Sequence, residues 1–382
     1  MDTDYLIEHL DELLDRINGR PTSPAFAERY NVTSALLLGH TPPPVRTVAA
    51  PLYVTDLGIR FAPDPAVFYS THIKIAGMTP LNPVDIRDYL VASELTSLAE
   101  RLDAVTLFFG DYASAFQAIT ARKADVIGSN DYRLLIYSGV IAGALGNHDA
   151  LEYFATATMC TNSKTDRYAA QHRAATFEIK RQSSFEAGLR RLFHAEKAYV
   201  DSGTLEGQLD LAIMYNLVAL AYSRLRDRDP ESALRSADEH LVSFMRNASG
   251  DIELMSRAGR YRSQVAINAA QIKAFSSNNA EASKILKTNL ETTRRQAFEY
   301  LPEAMGEYAY SLYLDGRYDA AARHASDAFW RYYQIGSTQG IRASREIVTA
   351  CLYKRRLFDD AEHIAELCES DPIGIRGFDN IV

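Results

Sequence analysis

Gly316-Arg317-Tyr318-Asp319-Ala320-Ala321-Ala322-Arg323-His324-Ala325-Ser326-Asp327-Ala328-Phe329 decides the fold. A glycine ends one helix, because a left-handed backbone is easiest without a β-carbon. An aromatic follows two residues later and can pack into the seam between helices. Ala321, Ala325 and Ala328 then recur at spacings of four and three, a small-residue stripe on one helical face that lets two helices approach closely.

The same order recurs along the chain. It reads GDYASAF from Gly110, GNHDALEYF from Gly146, SSFEAGLRRL from Ser183 and RDRDPESALRSA from Arg226. It continues as SNNAEASKIL from Ser277 and RLFDDAEHIAEL from Arg356. Successive starts lie 36, 37, 43, 51, 39 and 40 residues apart, within or just above the range of stacked helix-pair repeats. A segment with apolar residues at helical spacing precedes each turn, among them LAIMYNLVALAYSRL, AGRYRSQVAINAAQIKAF, PEAMGEYAYSLYLD and ASREIVTACLYKRR. Proline agrees. From Val84 onward only Pro230, Pro302 and Pro372 remain, so nearly 300 residues are free to be helical.

These motifs resemble the tetratricopeptide repeat family, whose signature is a tight turn, an aromatic and spaced alanines. The resemblance is strongest at Gly110–Ala118, Gly146–Phe154 and Gly316–Phe329. It implies a mainly α fold, an α-solenoid of about seven tetratricopeptide-like helix pairs, preceded by a small mixed α/β segment. The boundaries read as 1–85 for the N-terminal segment, 86–368 for the solenoid and 369–382 for a tail.

The N-terminal segment breaks the repeat. A helix is expected from Thr3 to Ile17, with Leu6, Leu10, Leu13, Leu14 and Ile17 on one face. VRTVAAPLYVTDLGIRF and AVFYSTHIKIAGM, rich in β-branched and aromatic residues between prolines, read as strands or a hairpin. The stretch Phe26 to Leu37 resembles a helix-turn-helix core. However, its second helix, TSALLLGH, has no arginine, lysine or amide side chain to read base edges. A helix pair capping the solenoid is the leading reading there, and DNA contact the weaker one.

The 41 basic and 49 acidic residues leave a net charge of −8, which argues against general affinity for nucleic acid or anionic membrane. The start, MDTDYLIEHLDELLDRI, is acidic and unlike a signal peptide, and no apolar run approaches a membrane span, so the expected location is cytoplasmic. Cys160, Cys351 and Cys368 lack metal-ligand spacing and read as reduced thiols. No phosphate loop, dinucleotide fingerprint, zinc-protease pair or nucleophile elbow appears, so neither catalysis, a metal nor a cofactor is expected.

The expected function is therefore binding of a protein or peptide along the first helices, as an adaptor or regulatory subunit. Self-association stays open. The alternative is a peptide-responsive bacterial transcriptional regulator, joining the helix-turn-helix-like segment to a repeat sensor. Family ligands lie along first helices, where amides grip a peptide backbone. That singles out Asn216 and Arg224 on one first helix. On the next, Gln264, Asn268 and Gln271 share a face, extended by Arg260. Arg224 or Arg260 would meet a terminal carboxylate. Glu307 and Tyr310 on the following first helix complete the wall.

Overall fold

The computed structural model describes residues 83–106, 112–225, 228–297, 300–335 and 338–370. The N-terminal helix, the strand-like stretches and the helix-turn-helix-like segment lie outside them, as do the tail beyond Ser370 and the turns at Gly110 and Arg226. The described residues form sixteen helices and no strand. They divide into two compact units between Asn247 and Ala248.

In the first unit α1 spans Pro83–Val91, α2 Leu95–Ala104, α3 Tyr112–Ala121, α4 Lys123–Gly128 and α5 Tyr132–Ala144. They are followed by α6 (Asp149–Cys160), α7 (Lys164–Lys180), α8 (Phe185–Tyr199), α9 (Leu205–Tyr222) and α10 (Pro230–Asn247). The second unit holds α11 (Ile252–Phe275), α12 (Asn279–Gln296), α13 (Leu301–Leu314), α14 (Tyr318–Ile335), α15 (Thr338–Lys354) and α16 (Phe358–Ser370).

Six helix pairs are seen among the described residues: α5 with α6, α7 with α8, α9 with α10, α11 with α12, α13 with α14 and α15 with α16. Among the described residues the expected pair around Gly110 is not seen. There α3 packs on α1, whose Ile86 and Leu90 are wholly buried, while α2 packs on α5. Within the second unit each first helix also touches the next, α11 to α13 and α13 to α15, which places three first helices side by side.

The turns show why these segments pair. Gly146, Ser183, Ser277, Gly316 and Arg356 all have positive φ, so one backbone conformation recurs with or without glycine. Just past four of these residues, the N–H groups of Asn147, Asn278, Arg317 and Leu357 donate to the carbonyls of Ala142, Lys273, Leu312 and Leu352. This closes the end of the first helix and satisfies carbonyls that its own ladder leaves over. The chain then reverses within three residues. Side chains cap many of the helices that follow. Asp131 accepts from the N–H groups of Arg133 and Leu134, and Thr204, Asp251 and Asn278 accept from those of Gly207, Leu254 and Glu281. Two of the three late prolines start helices, Pro230 opening α10 and Pro302 in the first turn of α13, where no donor is lost.

The aromatic after the turn packs back onto the first helix. Tyr318 lies 5.7 Å from Tyr313, and Phe358 lies 5.1 Å from Tyr353, centroid to centroid. Ala321, Ala325 and Ala328 are entirely buried, as the small-residue stripe requires for close helix approach. Among the described residues no helix is long and apolar enough to cross a membrane.

Candidate functional site

The second unit contains a groove of about 320 Å³ between two first helices. One wall is α13, through Glu303, Gly306, Glu307, Tyr310 and Tyr313. The opposite wall is α15, through Ala343, Ser344, Glu346, Ile347 and Ala350, and Tyr332 of α14 lies between them. The repeat itself builds this pairing. Adding the 40-residue step between the Gly316 and Arg356 turns to Glu303, Gly306, Glu307 and Tyr310 gives Ala343, Glu346, Ile347 and Ala350. Equivalent positions on successive first helices thus face one space.

Tyr332 forms the floor, and Gly340 makes room for its ring. A β-carbon at Gly340 would stand 2.2 Å from its Cδ1, so only glycine lets α15 approach so closely. On the other side a β-carbon at Gly306 would stand 3.8 Å from Cε2, an ordinary contact distance. The floor is buried and the rim is open: Tyr332 and Ser344 are buried, whereas Tyr310, Ala343 and Glu346 are exposed.

A second, smaller crease of about 40 Å³ lies between α11 and α13, lined by Gln271, Glu307 and Tyr310 among others. Register explains it as well. Gln264, Asn268 and Gln271 lie 39 residues before Glu303, Glu307 and Tyr310, the step between the Ser277 and Gly316 turns. The candidate residues of the second unit therefore occupy one repeat position on neighbouring helices, and Gln264 Nε2 donates to Glu303 Oε1 at 3.3 Å.

No family model matches the chain, and no curated protein matches it. Among solved structures, the chain is similar to that of a signal-transduction ATPase with numerous domains, which carries a tetratricopeptide repeat sensor, from Pyrococcus horikoshii. Identity is 15% and the TM-score 0.44; the likeness covers 96% of this chain, which spans 60% of the length of that one. At that distance the site has to be read from its own residues.

The eight residues picked from sequence fall in different settings. Glu307 and Tyr310 line both the groove and the crease, and Gln271 lines the crease. Asn268 is half-buried on α11. Asn216, half-buried on α9, and the exposed Arg224 just beyond it belong to the first unit.

Arg260 departs from its expected role. It is 4% exposed, its Nη1 lies 2.9 Å from Glu303 Oε2, and its guanidinium stacks 4.3 Å from the Tyr300 ring centroid. A cation buried this way serves the packing of α11 on α13 and is not placed to meet a ligand carboxylate. Helical spacing placed Arg260 correctly on the Gln264 face. It could not show that the face runs from the buried interior at Arg260 to solvent at Gln271.

The residues missed from sequence are Tyr332, Ser344, Glu346 and Ile347. Three of them could have been found by carrying the α13 positions forward by one repeat. Tyr332 gave no such signal, since its place depends on Gly340 of the next helix packing against it.

Proposed function

We propose that the chain is a binding protein, not a catalyst, and that it holds a peptide or an extended segment of a partner protein in the groove between α13 and α15. The groove's placement carries this reading: it is formed by repeat-equivalent positions of successive first helices. A volume of about 320 Å³ is at the low end for ligand pockets, which suits one or two side chains better than a large cofactor. Tyr310 and Tyr313 offer rigid, amphipathic contact surface of the kind enriched at interfaces. The crease between α11 and α13 continues the same line, so an extended chain could cross α15, α13 and α11 in turn. An adaptor or regulatory subunit would use such a surface.

The test is selection of binders from a random heptapeptide library, followed by titration against two variants. Tyr310→Ala removes an exposed ring, and Ala343→Trp fills the groove from its open rim. Both should fold as the parent does. Selected peptides should lose at least about tenfold in affinity for each, in line with truncation of an interface anchor. Peptides that bind both variants as tightly as the parent would place the binding surface elsewhere.

A further inference from the structure

The groove contains a buried polar atom with nothing to bind. Ser344 is 1% exposed and lines the groove, and its Oγ has no hydrogen-bond partner among the described residues. Two buried hydroxyls elsewhere in the fold do pair. Ser138 and Thr106 each donate to the carbonyl four residues earlier, at 2.8 Å. Ser344 forgoes the same bond to its own helix. The positions equivalent to it on the neighbouring first helices are Ala304 and Val265, so the repeat does not require a hydroxyl there. Leaving such a group unpaired is costly to the fold, which a residue kept for packing alone would avoid.

The rest of the lining states what the hydroxyl would meet. Glu307 and Glu346 stand on opposite walls, tyrosine rings border the space, and no lysine or arginine lines the groove among the described residues. Both glutamates keep a contact within the protein as well. Carboxylates on two sides, ring faces and a buried acceptor together suit a planar guanidinium. That group carries several donors at fixed angles and stacks on aromatic rings. The chain's net charge of −8 favours encounter with a basic partner.

We propose that the α13–α15 groove is the pocket for an arginine side chain of a peptide segment, its guanidinium set between Glu307 and Glu346 and donating to Ser344 Oγ. This rests on the reading of the groove as a peptide site and names the residue that anchors the peptide.

The experiment uses hexapeptide pools with blocked ends, each fixed at one central residue and otherwise random, read by fluorescence anisotropy on the full chain. The arginine pool should bind at least about tenfold more tightly than the glutamate pool, a ratio that shrinks with salt. Ser344→Ala should weaken the arginine pool about tenfold. The same variant should raise Tm by about 2–4 °C, because it removes an unsatisfied buried group. Opposite signs on binding and stability are what a residue with only a packing role would not give. Ser344→Ala binding the arginine pool like the parent overturns the proposal. So does a preference for acidic or apolar pools that Ala343→Trp abolishes, in which case the peptide site itself stands. Pools indifferent to Ala343→Trp defeat both. Free arginine amide or spermidine binding as tightly as the arginine pool would make the ligand a small cation and overturn the peptide assignment.

Discussion

Arg260 Nη1 on α11 lies 2.9 Å from Glu303 Oε2 on α13, and the two side chains are only 5% and 8% exposed. The pair joins two first helices beneath the groove that Glu303 also lines. Removing one partner leaves the other charged in a dry setting, so Glu303→Ala should cost about 3–5 kcal/mol. Arg260→Met combined with Glu303→Leu removes both charges and should cost less than that single change. Urea unfolding of the three proteins checks it. A double variant that loses as much as Glu303→Ala or more would mean that the charges do not act as a pair.

The recurring left-handed turn predicts opposite effects at two equivalent positions. Arg356 has φ +66°, a conformation that costs a residue with a β-carbon about 1–2 kcal/mol. Arg356→Gly should relieve part of that cost and stabilise by about 0.5–1 kcal/mol, the remainder being lost to the freer unfolded chain. Gly316 has φ +76° with nothing within 4 Å of where a β-carbon would sit. Gly316→Ala should therefore destabilise by about 1 kcal/mol through backbone strain alone. Thermal unfolding that moves both variants in the same direction would refute the assignment.

Two glycines against one tyrosine give a second matched pair. At Gly306 a β-carbon meets Tyr332 at 3.8 Å, so Gly306→Ala should be neutral or stabilising by up to about 1 kcal/mol from helix propensity. At Gly340 it would stand 2.2 Å from the same ring, and Gly340→Ala should destabilise by about 1–3 kcal/mol despite the same propensity gain. The second change should also displace Tyr332 and weaken peptide binding. Stability and titration on both variants decide it.

In the first unit His172 makes folding sensitive to acid. Burial drives its pKa down to about 3, Arg173 and Lys180 push the same way, and a hydrogen bond with the Ile213 backbone opposes them. Its Nε2 is buried, although the residue as a whole keeps partial exposure. The unfolded chain protonates near 6.5 while the folded imidazole stays neutral. Stability should accordingly fall as pH drops below 6.5, by up to about 1.4 kcal/mol per pH unit for this one proton. His240 and His324 shift in the same direction for the same first cause and steepen the fall. His172→Gln should flatten the slope of unfolding free energy between pH 6.5 and 5. An unchanged slope would mean that His172 titrates normally in the folded protein.

Much of the fold was legible because its determinants are local. The turn at Gly316, the aromatic at Tyr318 and the stripe Ala321, Ala325 and Ala328 act within one helix pair, so their spacing in sequence is already their spacing in space. The pairing of α3 was not legible. It packs on α1, yet Ile86 and Leu90 of α1 and Leu98 and Leu102 of α2 are all buried, so apolar spacing could not say which helix it would meet.

The sequence by itself determined the helices, their turns and the repeat register, and with the register the line from Gln271 through Glu307 and Tyr310 on neighbouring first helices. Only the tertiary structure decided which polar residues on that line face inward. Arg260 and Gln271 share one helical face by spacing, yet the first is sealed against Glu303 and Tyr300 while the second reaches solvent. Tyr332 becomes a floor only because Gly340 admits its ring, and that Ser344 Oγ is buried without a hydrogen-bond partner among the described residues is visible only in the packed structure. Burial is a property of what stands opposite a residue, and what stands opposite here comes from helices one repeat away.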